Sequence, residues 1–355
     1  MKTRPFGVSI LFVSLALMSS ASSVLAQPGR VANPVAAQQQ AENVELVSQI
    51  GSDVIKVALQ EGYAYTISHD DLYIYDISDP AHPSEVTSHD VGRVANSVAV
   101  QGEYAYIGAE WSGKLFVVDV SDPEHPGTMG SCGVMGYHAL DVAVDGNYAY
   151  VTGDPVANVG WLTIVDISNP ANPFEAADDR IASDVDGVAV EGDHCFVAAD
   201  SGVYIYNVSD PTDPSVPRRF GLPYGIDGRG VDGQGSYAYV AAGNGGLYII
   251  NRYARQIGQY NTPGYARGVA VAGNYAYVAD GSSGLRVIEV ADRYNPTEVG
   301  FYDTDGYAYD VAVDGDYIYV ADGDEGLVIL RFEVVQEEVQ AEFFLPLLLR
   351  NYPQL

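Results

Sequence analysis

The sequence predicts an all-β protein, a seven-bladed β-propeller with four strands per blade. Three observations lead to this fold class. One short pattern recurs seven times, glycine and tyrosine are abundant with 38 and 27 copies, and the last repeat lacks one strand while a spare strand precedes the first. Such a composition favours short strands joined by tight turns.

The repeated pattern is Val-Ala-Val or a close variant, a short turn with glycine, and then Tyr-Ala-Tyr-Val. Its copies begin at Val57, Val98, Val142, Val188, Val231, Val269 and Val311. The second aromatic residues of successive copies are 38 to 46 residues apart. A repeat of roughly 42 residues with several short strands is typical of a propeller blade.

Four strands, which we call a to d, fit into each repeat. The Val-Ala-Val segment is strand a, and a hairpin turn such as residues 145–147 leads to the Tyr-Ala-Tyr-Val segment, strand b. An apolar run such as residues 285–290 is strand c, and residues 298–302 are an example of strand d. Side chains alternate between the two faces of a strand, so neighbouring blades meet tyrosine against alanine. We therefore predict that the strand tyrosines pack between blades.

The ends of the repeat array predict how the ring closes. The seventh repeat stops after its strand c, at residues 327–332, and the spare strand lies at residues 44–50. Pairing the spare strand with the C-terminal blade would complete that blade and cover both open sheet edges. We therefore predict that the propeller spans residues 43–332 and that residues 44–50 close it.

Residues 1–26 have the features of a secretory signal peptide. Lys2 and Arg4 precede an apolar stretch at residues 6–18, and small residues lead to a predicted cleavage site after Ala26. The apolar stretch is too short to span a bilayer, so we expect no transmembrane span in the mature chain. Residues 27–42 are predicted to be a flexible linker. Residues 333–355 form a tail whose short apolar segment is either docked on the propeller or a surface-sorting signal.

Net charge limits the partners. The formal charge is −30 for the full sequence, and loss of the predicted signal peptide makes it −32. A protein this acidic is repelled by nucleic acids and anionic membranes, which leaves cations, basic proteins and neutral glycans as partners.

Cys132 and Cys195 occupy different repeat positions, so we do not expect the fold to depend on a disulfide. Cys195 replaces an alanine of strand b and should be a small buried residue.

The strand c segments carry a family resemblance. Residues 72–76, 115–119 and 162–166 read Leu-Tyr-Ile-Tyr-Asp, Leu-Phe-Val-Val-Asp and Leu-Thr-Ile-Val-Asp, and each leads into a turn with Pro80, Pro123 or Pro170. This pattern resembles the LVIVD-repeat family of secreted and surface proteins of bacteria and archaea. The resemblance covers roughly residues 44–332 and implies a location outside the cell, but it implies no particular activity. Asn207 and Asn251 depart from the motif in later repeats.

The b–c and d–a loops share one face of a propeller, around the mouth of its channel. Aromatic residues in these loops are candidates for binding a sugar or a peptide: Tyr137, His138, Tyr224, Tyr265, Tyr307 and Trp111. Packing between adjacent blades is the alternative role for the tyrosines.

Two Asp-x-Asp-Gly bends in the d–a loops are candidate metal sites. Asp184 and Asp186 form one pair, and Asp303 and Asp305 form the other. Closely spaced carboxylates suit Ca²⁺, which takes six to eight oxygen ligands. Turn capping and solubility are the alternative roles, and we expect no required cofactor.

Catalytic signatures such as Gly-x-Ser-x-Gly, His-Glu-x-x-His and zinc-ligand spacing do not occur in the sequence. We therefore predict a monomeric, non-catalytic binding or scaffold module, secreted or at the cell surface, with a protein or glycan ligand on the loop face. The alternative is a carbohydrate-active hydrolase or lyase that uses paired carboxylates on that face.

Overall fold

The computed structural model describes residues 41–68, 71–156 and 159–333. The predicted signal peptide, linker residues 27–40 and the tail beyond residue 333 lie outside the described residues. In the part of the chain that is described, no helix has the length and apolar character needed to cross a membrane.

Twenty-nine strands occur in the described residues, and we number them in chain order. Their bounds are β1 Ala41–Glu42, β2 Val44–Ile50, β3 Val54–Gln60, β4 Tyr63–Ser68, β5 Asp71–Asp76, β6 Ser84–His89, β7 Ala95–Gln101, β8 Tyr104–Ala109, β9 Lys114–Asp119, β10 Gly127–Gly133, β11 His138–Asp145, β12 Tyr148–Val156, β13 Val159–Asp166, β14 Phe174–Ile181, β15 Val185–Glu191, β16 His194–Ala199, β17 Gly202–Asn207, β18 Arg218–Phe220, β19 Val231–Gln234, β20 Tyr237–Ala241, β21 Leu247–Asn251, β22 Arg255–Tyr260, β23 Gly268–Ala272, β24 Tyr275–Ala279, β25 Leu285–Glu289, β26 Thr297–Tyr302, β27 Asp310–Asp314, β28 Tyr317–Ala321 and β29 Leu327–Phe332.

These strands form seven antiparallel sheets within the described ranges, and each sheet is one blade. Blades 1 to 6 contain β3–β6, β7–β10, β11–β14, β15–β18, β19–β22 and β23–β26, and blade 7 contains β27–β29 with β2. The inner strand of each blade contacts the inner strand of the next, and β27 contacts β3. The blades therefore form a closed ring around a central channel. The predicted seven-bladed propeller is confirmed.

Strand β2 closes the ring. It pairs antiparallel with β29, from Val44 opposite Phe332 to Ile50 opposite Leu327. The Val44 side chain is buried, whereas 49% of Leu46 is exposed. The predicted closure by residues 44–50 is confirmed.

Strand β1 corrects the predicted linker boundary. Ala41 and Glu42, which were assigned to the linker, pair with Tyr302 and Phe301 on the outer edge of blade 6. The outermost strand of blade 6 offers unpaired backbone groups, and the chain reaches them because Asn43 turns with a φ of 55°. The Asn43 side chain also donates a hydrogen bond of 2.7 Å to the carbonyl of Val299.

The core consists of apolar clusters between adjacent blades. In the cluster between blades 1 and 2, Tyr65 and Ile67 pack with Val98 and Ala105. The second aromatic residue of every repeat is at most 6% exposed: Tyr65, Tyr106, Tyr150, Phe196, Tyr239, Tyr277 and Tyr319. The large-against-small contact expected from the Tyr-Ala alternation is therefore present. Cys132 and Cys195 are free and buried, and burial raises the pKa of both thiols.

Candidate functional site

A cavity of about 220 Å³ lies at the channel mouth on the face of the b–c and d–a loops. Every blade contributes the residue two positions before the first valine of its repeat. In ring order these residues are Ile55, Asn96, Leu140, Asp186, Arg229, Arg267 and Tyr309. We call this space the mouth cavity. These seven positions are apolar at blades 1 and 3 and charged at blades 4 to 6, so equivalent repeat positions form an asymmetric surface. Lys56 and Asp141 also line the cavity.

The next residue of each repeat controls how closely the inner strands approach. Blades 4 to 6 have glycine there, and a Cβ on Gly230 would lie 2.6 Å from the carbonyl oxygen of Arg267. Blades 7, 1 and 3 instead carry Asp310, Lys56 and Asp141, which line the channel below the mouth. Blades 4 to 6 therefore leave no room for a side chain at this position. Blades 7, 1 and 3 each have a charged side chain there.

Lys56 balances the channel carboxylates. Its ammonium donates a hydrogen bond of 3.1 Å to Asp141 Oδ1, and Asp141 Oδ2 accepts one of 3.0 Å from the backbone N–H of Val188. Asp310 Oδ2 accepts a 3.3 Å bond from the N–H of Val57. Burial lowers the pKa of Lys56, but the charges of Asp141 and Asp310 outweigh it and raise that pKa overall. Burial raises the pKa of Asp310, and Lys56 opposes the rise.

Arg229 is surrounded by carboxylates at the mouth. Its guanidinium donates to Asp186 and lies 3.4 Å from Asp227 and 3.9 Å from Asp200. Its Nε donates a 2.9 Å hydrogen bond to the hydroxyl of Tyr265. Burial raises the pKa of Asp186, and the charge of Arg229 opposes that rise. The positive charge of Arg229 is therefore fully compensated by neighbouring acids.

Arg267 has a different environment. Its Nε donates a 3.2 Å hydrogen bond to the hydroxyl of Tyr307. Its guanidinium carbon lies 5.7, 5.2 and 5.1 Å from the ring centroids of Tyr265, Tyr307 and Tyr309. Among the described residues no carboxylate forms an ion pair with it. The aromatic rings stabilise the cation through their faces.

Tyr265 and Tyr307 pack between blades, which was the alternative role for the predicted loop tyrosines, and their assignment as ligand residues stays a prediction. Each is half-buried, and a Cβ added to Gly243 or Gly281 of the preceding blade's b–c loop would lie 2.9 Å from its ring. Both glycines have positive φ. The tyrosine rings therefore pack between blades, while their hydroxyls accept hydrogen bonds from Arg229 and Arg267.

The other predicted aromatic residues lie apart from this arrangement. The rings of Trp111 and His138 meet edge-on at 4.7 Å, and His138 Nδ1 lies 3.2 Å from Asp154 Oδ1. Trp111 and Tyr137 are exposed by 72% and 65%, and Tyr224 is fully exposed. None of these four residues lines the mouth cavity. Their assignment as ligand residues stays a prediction.

In each predicted calcium bend one carboxylate binds an arginine. Asp186 binds Arg229, and Asp303 binds Arg286. The backbone carbonyl of Asp184 accepts a 3.0 Å bond from the N–H of Asp200, and Asp305 is exposed. In the three described ranges, no group of three or more His, Cys, Asp or Glu residues is arranged to hold a metal ion. Calcium binding at these bends stays a prediction.

Calcium binding predicts a higher melting temperature in Ca²⁺ than in chelator at matched ionic strength. If Ca²⁺ binds the folded but not the unfolded protein, it stabilises the fold by ~2.7 kcal/mol when its concentration is one hundred times the dissociation constant. Replacing the exposed Asp305→Asn should reduce the difference if this bend holds the ion. An equal rise with Mg²⁺ or Na⁺ would indicate charge screening and contradict a calcium site.

Three cations of the mouth and channel were not predicted from the sequence: Lys56, Arg229 and Arg267. A signal for them was present: when the seven repeats are aligned on their first valine, these cations stand one or two positions before it. Clusters of acids and aromatics in the loops do not include these cations, which become visible only when equivalent repeat positions are compared.

The chain matches the family model of the LVIVD repeat. The match covers residues 51–91, 92–134, 136–178, 182–220, 227–251, 263–304 and 305–330. No curated protein matches the chain.

Several solved structures share the fold. The computationally designed Ika8 protein has 9% identity and a TM-score of 0.57, over 81% of this chain and 98% of that one. A chain from a crystal structure of the mitotic checkpoint complex has 13% identity and a TM-score of 0.65, over 89% and 99%. The WD40 propeller domain of Doa1 has 12% identity and a TM-score of 0.62, over 82% and 97%. At these identities the likeness shows the fold alone.

Proposed function

Because the chain belongs to the LVIVD-repeat family, we propose that it is an extracellular or cell-surface binding module without catalytic turnover. Its ligand binds on the loop face, at the mouth cavity. This proposal rests on one observation: residue type varies among the blades at the mouth positions but not at the buried strand positions. The buried strand aromatics are alike in all blades, whereas the seven mouth residues are apolar, amide, acidic, basic or phenolic. Packing between similar blades favours the same residue type at equivalent repeat positions. Recognition of an asymmetric ligand instead favours different residue types around the mouth.

The environment of the carboxylates favours binding over hydrolysis. Asp141 and Asp310 each accept a backbone N–H, and Lys56 lies between their charges. Asp186 is held by Arg229. A general acid or base must exchange a proton with the substrate, and these contacts engage both oxygens of Asp141 and one oxygen each of Asp310 and Asp186. A hydrolase or lyase remains the rival hypothesis, and it requires two carboxylates that both face the substrate.

The location outside the cell is inferred from the predicted signal peptide and is compatible with the LVIVD-repeat family. The full chain should be expressed with its own leader and collected from the medium. We expect a mass that corresponds to a mature protein beginning at Gln27. A protein that stays inside the cell with residues 1–26 intact would contradict secretion.

The secreted protein should then be applied to arrays of glycans and proteins. We expect saturable, reversible binding to at least one class, and a ligand whose mass is unchanged after incubation. Cleavage of a glycan that Asp141→Asn abolishes would support the rival hydrolase. Failure of the folded protein to bind any array component would contradict the proposed function.

A further inference from the structure

The mouth cavity contains one cation whose charge is not matched by an acid. Acidic residues outnumber basic ones by 47 to 17, and the other two cations that line the cavity, Lys56 and Arg229, form ion pairs with carboxylates. Arg267 lines the mouth cavity and is surrounded by tyrosine rings instead. In so acidic a protein, an arginine held away from carboxylates in a cavity points to a ligand that supplies the negative charge.

We propose that the mouth cavity binds a small organic carboxylate, with its charged group on Arg267 and its apolar part against Ile55 and Leu140. This inference rests on the proposed function and names the ligand class for the same site.

The guanidinium of Arg267 is held in place for this role. Its Nε donates a hydrogen bond to the hydroxyl of Tyr307, and contact with the rings of Tyr265 and Tyr309 restricts the guanidinium plane. Two terminal nitrogens remain, and the guanidinium fork matches the two oxygens of a carboxylate. Because the arginine is already ordered, less side-chain entropy is lost on binding.

The shape of the cavity limits the size of the ligand. Its volume of about 220 Å³ corresponds to about seven water molecules at their liquid volume. Ile55 and Leu140, on blades 1 and 3, supply apolar surface beside the ion pair of Lys56 and Asp141. A carboxylate with a short apolar chain therefore fits better than an inorganic anion, which would leave that surface against water.

Five neighbouring carboxylates share two cations, which reduces but does not cancel their repulsion of an anion, so the anion has to bind Arg267 directly. Asp186, Asp200 and Asp227 face Arg229, and Asp141 and Asp310 face Lys56. The net charge of the whole protein still repels an anion, but salt screens that repulsion beyond about 8 Å at physiological ionic strength. Binding should therefore be measured near that ionic strength.

Four probes separate the features that the cavity should recognise. Hexanoate represents a free organic acid, and N-acetyl-leucine represents the C-terminal carboxylate of a chain. N-acetyl-leucinamide has the shape of the latter without the charge, and inorganic phosphate has charge without an apolar part. We expect calorimetry on the full chain to show binding of hexanoate or N-acetyl-leucine, with the amide and phosphate at least tenfold weaker. The stronger of the two acids identifies the source of the carboxylate.

Two arginine variants with the same charge change test the assignment. Arg267→Gln should weaken binding of the preferred acid roughly 10- to 100-fold, as expected for loss of a charge-assisted hydrogen bond. Arg255→Gln removes an exposed arginine from strand β22, away from the cavity, and should leave affinity unchanged. Leu140→Asn keeps Arg267 but removes apolar surface, so it should reduce the preference for hexanoate over acetate. This variant tests the site independently if Arg267→Gln does not fold.

The inference is overturned if no carboxylate binds to the wild-type protein, if Arg267→Gln binds as the wild type does, or if Arg255→Gln loses affinity equally. If the carboxylates fail while an array partner still binds at the mouth, this inference is wrong and the proposed function stands.

Discussion

Deleting residues 44–50 from the full chain should lower the melting temperature by roughly 10 °C or more, because 1 kcal/mol is worth about 2–4 °C in a large domain. The deletion removes the hydrogen bonds between β2 and β29 and exposes the buried face of β29 in blade 7. It also leaves both ends of the ring without a partner strand. The unpaired edge should make the variant prone to aggregation.

Two point variants in β2 provide the matched control. Val44 is 7% exposed and belongs to the cluster between blades 6 and 7, whereas Leu46 is 49% exposed. Val44→Lys buries an unpaired charge and should destabilise by roughly 3 kcal/mol or more. Leu46→Lys should change stability by less than about 0.5 kcal/mol. Equal melting temperatures for the deletion and the wild type would contradict closure by β2.

Replacing Lys56→Met should destabilise the protein by about 3–5 kcal/mol at pH 7, as expected when one partner of a buried ion pair is removed. The side chains of Lys56 and Asp141 are 27% and 17% exposed, so the variant leaves carboxylate charge in the channel without its cation. Urea unfolding of the full chain measures the loss. Lys56→Met combined with Asp141→Asn should recover part of it.

The loss in Lys56→Met should depend on pH. Burial already raises the pKa of Asp310 while Lys56 opposes it, so removing Lys56 raises that pKa further above the unfolded value. An acid whose pKa is higher in the folded than in the unfolded protein favours the folded state when it is protonated. This contribution to folding stability is lost as the pH rises through the folded-state pKa. The difference between variant and wild type should therefore shrink below about pH 4, near the unfolded pKa of aspartate. A pH-independent difference would indicate lost packing and no electrostatic role for Lys56.

The repeat pattern predicted the fold because each blade is local in sequence. Alternation within strand b placed Tyr65 and its equivalents in the core, and the missing strand d identified residues 44–50 as the closing strand. Strand β1 was not predicted because two residues are too short for any periodicity. Its pairing depends on the edge of blade 6, which is distant in sequence.

The candidate site was predicted only in part, because its contacts are not local. Asp186 and Arg229 are 43 residues apart, and Asp303 and Arg286 are 17 apart. In the sequence each bend is recognisable only as two closely spaced acids, and the arginine that binds one acid of each bend belongs to another strand or loop. Tyr307 was identified from its loop position, but its contact with Arg267 depends on the stacking of blades 6 and 7.

The most direct test of binding at the mouth cavity compares two tryptophan substitutions for affinity toward the partner found on the arrays. Asn96→Trp would fill the mouth cavity from blade 2, and Val216→Trp would enlarge a side chain that is 91% exposed beside the outer strand of blade 4. Both variants should be confirmed as folded by their melting curves. We predict that Asn96→Trp abolishes binding and that Val216→Trp retains the wild-type dissociation constant. Retained binding by Asn96→Trp together with lost binding by Val216→Trp would contradict the proposed site.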